Sequence, residues 1–234
     1  MHRVILTSVC VVSLVCGFAS LKAFAATTLN PADLPGMGNI RISGYLDLGH
    51  ERDMEDSGFT WEVDTERYLA RGEYGIMDRL SVFVDLGVAA IEDSDLGFAA
   101  GAGAKYLATT ILNGDIDIGV SGQILWFKTE EDETIVDVNY KAEATWLEFQ
   151  LASVANYTGF DRFDFFGGFS LSFVNGDSEV KGGGSAISSG FDSDDIFGLI
   201  LGSAYSFSEN FKVCGEIHLI NETCFTVGLS YQIP

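Results

Sequence analysis

The 234-residue sequence predicts an all-β protein: an antiparallel up-and-down transmembrane β-barrel of ten strands, or of eight or twelve if one hairpin is misread. Three observations predict it. Segment after segment alternates large apolar residues with small or charged ones, which sends two kinds of side chain to opposite faces of a strand. The chain carries 27 glycines and only 3 prolines, and 47% of its residues are hydrophobic. Its mean hydropathy is nevertheless only slightly positive, which fits apolar residues at every second position and not a bundle of membrane helices. The breaks between segments also alternate in character, strongly acidic on one side and short and turn-like on the other.

The N-terminus reads as an address. His2 and Arg3 precede an apolar run, and Ala23-Phe24-Ala25 supplies the small-x-small pattern of a signal-peptidase site. Residues 1–25 are therefore expected to be a signal peptide, 26–38 a short lead-in with Pro31 and Pro35, and 39–234 the barrel. A lipid anchor through Cys16 is disfavoured by the bulk of Val15, and a retained helical anchor by the shortness of the run. Cleavage after Ala25 removes Arg3 and Lys22 and no acid, leaving 11 basic against 34 acidic residues, a net charge of −23. So acidic a chain has little attraction for nucleic acid, whose phosphates need Lys and Arg.

The strands follow in order. Ile40, Ile42, Leu46 and Leu48 share one parity, opposed by Arg41, Ser43, Tyr45 and Asp47. His50 to Gly58 reads as an exposed acidic loop. The hairpin around which the chain is organised comes next, from Thr60 to Tyr74 and from Leu80 to Ile91, with Gly75 and Asp78 expected to make the break. In its second half Leu80, Val82, Val84, Leu86 and Val88 oppose Ser81, Phe83, Asp85, Gly87 and Ala89. After the acidic tip Glu92 to Asp95, a small-residued strand runs from Phe98 to Tyr106. Its Gly101-x-Gly103 lacks the following helix and further glycine of a phosphate cradle, so close strand packing is expected instead.

Asn113-Gly114 signals a tight turn before Asp115 to Phe127. The acidic loop Thr129 to Thr134 leads to a strand whose apolar role passes from Val136, Val138, Tyr140, Ala142, Ala144 and Trp146 to Leu147, Phe149 and Leu151. A one-residue slip of that kind predicts a β-bulge. After the turn at Asn156 to Asp161 comes Phe163 to Phe173, then the longest loop, Asn175 to Asp195, and a strand from Phe197 to Tyr205. The turn Ser208 to Asn210 and the pair Phe211 to Ile220 and Thr223 to Ile233 complete ten strands.

Long acidic loops on one rim, short turns on the other and both barrel ends on the short-turn rim resemble the small bacterial outer-membrane β-barrel proteins as a class. The final stretch FTVGLSYQIP resembles their terminal strand, apart from ending Ile233-Pro234. The resemblance implies a bacterial outer-membrane location with lipid as the surrounding partner, and it carries no active-site motif. Tyr106, Trp126, Trp146, Phe163, Phe173, Tyr205, Phe211 and Tyr231 fall near strand ends, where aromatic girdles sit. The alternative architecture is a secreted soluble β-sandwich binding protein, which would turn Lys, Thr, Glu and Ser outward and large apolar residues inward.

On the inward parity stand Arg41, Arg67, Arg71, Lys105, Lys141 and Lys212 beside Asp47, Glu73, Asp85, Asp117, Glu143 and Glu216. Six charges of each sign in a confined lumen imply mutual pairing or water contact, as an ion network filling the barrel or as the lining of a conducting pore. The expected function is a narrow passive, cation-preferring channel or a surface-presenting scaffold. The loops hold 16 acids against Arg52, Lys128 and Lys181, a net −13, which would gather cations at the outer rim. The enzyme alternative is a hydrolase at the rim using His50 or His218 with neighbouring acids. No zinc-ligand spacing occurs and no cofactor is expected. Cys214 and Cys224 share the inward parity on neighbouring strands. A hairpin centred on Leu219 would set them opposite for a disulfide, and one centred on Asn221 would carry them out of bonding range.

Overall fold

A strand with one apolar and one polar face satisfies its backbone in a bilayer only if pairing runs all the way round, and this chain closes its ring. The computed structural model describes residues 29–56, 59–92, 94–135, 138–182, 185–193, 196–220 and 223–233. The expected signal peptide lies outside them. The strands are β1 (Ile40–Asp56), β2 (Phe59–Met77), β3 (Leu80–Ile91), β4 (Gly97–Ile111), β5 (Ile116–Ile135), β6 (Val138–Phe160), β7 (Phe163–Gly182), β8 (Ser185–Ser193), β9 (Phe197–Ser206), β10 (Phe211–Ile220) and β11 (Thr223–Ile233). Ten of them, all but β8, form the expected antiparallel barrel, each paired with its sequence neighbour. β1 closes it on β11 from Ile40 opposite Ile233 to His50 opposite Thr223.

The strands differ in length by a factor of two. β9, β10 and β11 have 10, 10 and 11 residues, about what a tilted strand needs to cross a hydrocarbon core. β5, β6 and β7 have 20, 23 and 20, so roughly half of each stands beyond that core. The described parts of three expected loops are instead continuations of strand: 50–56 within β1, Thr129 to Thr134 within β5, and 175–182 and 185–193 within β7 and β8. β8 pairs with β7 from Asn175 opposite Asp192 to Gly182 opposite Ser185. It then reaches β1 at Met54 opposite Ser193, spanning the rim above the shorter strands.

The bulge expected in β6 is absent. Its register runs unbroken against β5 from Tyr157 to Val138, and against β7 from Tyr157 to Tyr140. What changes is the surroundings. Through the belt Leu147, Phe149 and Leu151 face out and Glu148 and Gln150 face in. Beyond it, where water replaces lipid, Trp146 turns in and the outward row becomes Thr145, Glu143 and Lys141. Trp146 therefore leaves the expected girdle and stacks inside on Phe127, ring centroids 5.5 Å apart. Elsewhere aromatic clusters do mark the short rim, where Tyr205 packs on Phe163 and Phe207 at 4.7 Å each.

Two glycines have specific duties. Gly75 lies within β2, and the turn to β3 is Asp78-Arg79. A Cβ at Gly75 would strike the backbone of Gly36, so its role is to let the lead-in approach, sealed by Gly38 N–H donating to Gly75 O at 2.9 Å. Gly103 faces the lumen where a Cβ would meet the Phe83 ring, which is the close packing expected of Gly101-x-Gly103. Asn113 and Gly114 turn at φ 59° and 106°, as their dipeptide predicts.

Candidate functional site: the filled lumen

The inward rows of the ten strands converge on a lumen packed in three layers. Nearest the long rim is an apolar cap. Met54 from β1, Val63 from β2, Phe127 from β5, Trp146 from β6 and Val174 from β7 are all buried and form one cluster, with Phe191 of β8 packed against it. They meet because the extensions are water-soaked outside, so the alternation that exposes charge there must turn apolar groups inward.

The middle layer is an ionic belt. Arg71 donates from Nε and Nη2 to the two carboxylate oxygens of Asp85 at 2.8 Å each, the two-pronged geometry that binds most strongly. Its guanidinium carbon lies 3.7 Å from the Phe83 ring centroid. Arg67 approaches Asp47 at 3.7 Å and Glu148 at 3.0 Å. Arg52 reaches Glu148 at 3.3 Å, and Ser172 donates to the same carboxylate at 2.6 Å. Gln123 accepts from Arg71 at 3.1 Å and donates to Gln150 at 2.9 Å, so the belt spans the lumen from β2 to β6.

The third layer, at the short rim, is made by the lead-in. Leu29, Asn30 and Ala32 are buried inside the barrel. Asp33 bridges Arg41 at 3.0 Å and Lys212 at 3.1 Å. Lys105 donates to Leu29 O at 3.0 Å and faces Glu73 at 3.4 Å. Burial opposes ionisation of Asp33, but Arg41, Lys212 and Lys105 outweigh it and hold the carboxyl below its ordinary range.

Of the twelve residues expected in the lumen network, nine are buried within it: Arg41, Asp47, Arg67, Arg71, Glu73, Asp85, Lys105 and Glu216 fully, and Lys212 in part. Three are elsewhere. Asp117 lies at the short rim, half-buried, and accepts from Thr110 at 2.6 Å. Lys141 and Glu143 face outward on the β6 extension, paired with each other at 3.1 Å, because they share the outward parity of Leu147, Phe149 and Leu151, a face that meets lipid within the belt and water beyond it. Sequence reasoning missed Asp33, Arg52, Glu148, Gln150 and Asp164. Glu148 and Gln150 had a signal, since they alternate with Leu147, Phe149 and Leu151. Arg52 was hidden in an acidic run.

No disulfide joins the cysteines: Cys214 pairs with Gly228 and Cys224 with His218, the register of a hairpin centred on position 221. Cys224 instead donates to Asp47 at 2.8 Å. His218 is fully buried against Glu216, enclosed by the wall and not at a solvent-reached rim. The side chain of His50 lies outside the described residues. Among the described residues, no group of three or more His, Cys, Asp and Glu is arranged to hold a metal ion.

No protein-family model matches the sequence, and no curated protein matches it. Solved structures do. The translocator domain of the autotransporter NalP from Neisseria meningitidis matches at 10% identity and a TM-score of 0.47, over 82% of this chain and 88% of that one. An outer membrane channel from Pseudomonas putida F1 matches at 11% identity and a TM-score of 0.44, over 89% and 99%. Ail, the attachment invasion locus protein of Yersinia pestis, matches at 10% identity and a TM-score of 0.37, over 84% and 99%. All are bacterial outer-membrane β-barrel proteins.

Proposed function

We propose that the protein is an integral barrel of the bacterial outer membrane that acts as a scaffold, presenting the extensions of β1, β2, β5, β6 and β7 together with β8 at the cell surface. The membrane reading is supported by the belt of large apolar side chains left facing outward all round the wall, among them Val84, Leu86, Phe98, Phe169, Leu201 and Leu229, each half or more exposed. Contiguous apolar surface on that scale marks a lipid-facing surface. The observation that carries the scaffold half is the filling of the lumen by apolar cap, ionic belt and lead-in, which leaves the extension as the part most available to partners. No catalytic step is assigned to it.

The experiment is conductance of the full mature chain, refolded into a planar bilayer. A scaffold with a filled lumen shows no unitary steps. The cation-preferring channel keeps one support, the acidic outer extension, and it predicts steps whose reversal potential in a salt gradient is set by the cation. Such steps would replace the scaffold reading with the channel.

A further inference from the structure

The lead-in is built to be held and also to be released. Its backbone extends the β1–β2 ladder through Gly38 and Gly75, while Pro35 O accepts from Gln232 at 3.0 Å. Deeper in, Pro31 and Ala32 lie against Gly119 of β5, where any Cβ would collide with them. Leu29 and Asn30 sit at φ 47° and 50°. That left-handed conformation is easy for Asn and unfavourable for Leu, so contacts with the barrel must maintain it.

The chief ionic contact is Asp33. Its carboxylate meets Arg41 and Lys212, and its carbonyl accepts from Arg41 at 3.0 Å. The charged groups at this mouth balance three against three: Arg41, Lys105 and Lys212 against Glu73, Asp164 and Asp33, with Lys212 reaching Asp164 at 3.3 Å. Withdrawal of Asp33 leaves one positive charge in excess among buried groups, an arrangement that strongly favours an incoming anion. A cavity of ≈ 20 Å³ lies between the lead-in and the wall, bounded by Asp33, Arg41, Lys105, Lys212 and Cys214, room for about one water.

We propose that residues 29–38 form a releasable plug latched by the Asp33 carboxylate, and that Arg41, Lys105 and Lys212 form an anion site for a small carboxylate, which Asp33 fills in the closed state. Release opens the short-rim third of the lumen and leaves in place the ion pairs of the belt, Arg71 with Asp85 and Arg52 and Arg67 with Glu148. The inference rests on the fold and stands whether the extension is a presenting surface or the mouth of a channel.

Cys214 reports on the latch, because its thiol lies on the wall of the cavity that the plug covers. In a Cys224→Ser background it is the sole cysteine of the mature chain. Labelling of the folded protein by a sulfonated maleimide is expected to be slow. Asp33→Ala should accelerate it about ten-fold or more, as loss of a buried charge pair loosens the segment locally. Asp33→Asn, which keeps the shape, should also accelerate it, and Asp33→Glu should leave it slow. Sodium formate, with sodium chloride as the ionic-strength control, should slow the Asp33→Ala variant again by supplying the missing carboxylate. Heat-modifiable migration checks that each variant still folds. Equal labelling rates in the parent, Asp33→Ala and Asp33→Asn would overturn the latch, and acceleration insensitive to formate would overturn the anion site.

Discussion

Glu148 sits between Arg52 and Arg67, and it also accepts from Ser172. Two guanidinium groups converge on this one carboxylate, so its loss takes a buried charge contact from both. Glu148→Gln keeps the shape and removes the charge, and it should destabilise the barrel by about 3–5 kcal/mol, the usual cost of breaking a buried pair from one side. Urea titration of the refolded variant measures it, and a change within ordinary surface range would contradict the belt as drawn. Glu148 could have been placed from its apolar neighbours alone. Asp33 could not: it lies between two prolines in a stretch without period, and its partner Lys212 is 179 residues away in sequence. The contact exists only because the barrel brings β10 beside the N-terminal segment.

The extension of β5, β6 and β7 is an element with its own rule. Its outward face carries a charge ladder in which Lys128 meets Glu143 at 2.8 Å, Lys141 meets Glu130 at 2.7 Å, and Lys181 meets Glu179 at 2.8 Å. These residues are exposed, so no pair is worth much alone, but together they align acid-rich strands that propensity would leave as loops. Hydrogen bonds from Lys128 and Lys141 hold Glu143 down to about 2, from an ordinary 4.5. A carboxyl depressed by folding contributes stability above its unfolded pKa and loses that contribution as pH falls through the folded value. The ladder should therefore be intact down to about pH 5 and weaken between 4.5 and 2. NMR titration of the Glu143 carboxyl should give a midpoint near 2, and Lys141→Ala should raise it. An ordinary midpoint in the parent would remove the ladder. The expected bulge in β6 came from the same feature: a change of solvent along a regular strand produces the same swap of apolar parity as a slipped register.

Across the whole molecule, the outward belt decides where the protein lives. Val84 stands near the middle of the 12-residue β3 and faces out at 55% exposure. Val84→Arg should cost about 2–4 kcal/mol in a bilayer, the penalty of a charge near the midplane of the lipid face. In a soluble sandwich the same exposed site would tolerate arginine, so folding equilibria in phospholipid vesicles separate the two architectures. The sequence by itself determined the barrel class, the ten strands of the wall, the inward place of most lumen charges and the alternation of rims, because these follow from a local period of two and from turn chemistry. Only the tertiary structure decided the register of the last hairpin and hence the separation of the cysteines. It also decided the pairing of β8 with β1, the inward turn of Trp146, and the lead-in folded back into the lumen. Each of these depends on which distant strand lies opposite, or on whether lipid or water lies outside, and neither is written in the residues next along the chain.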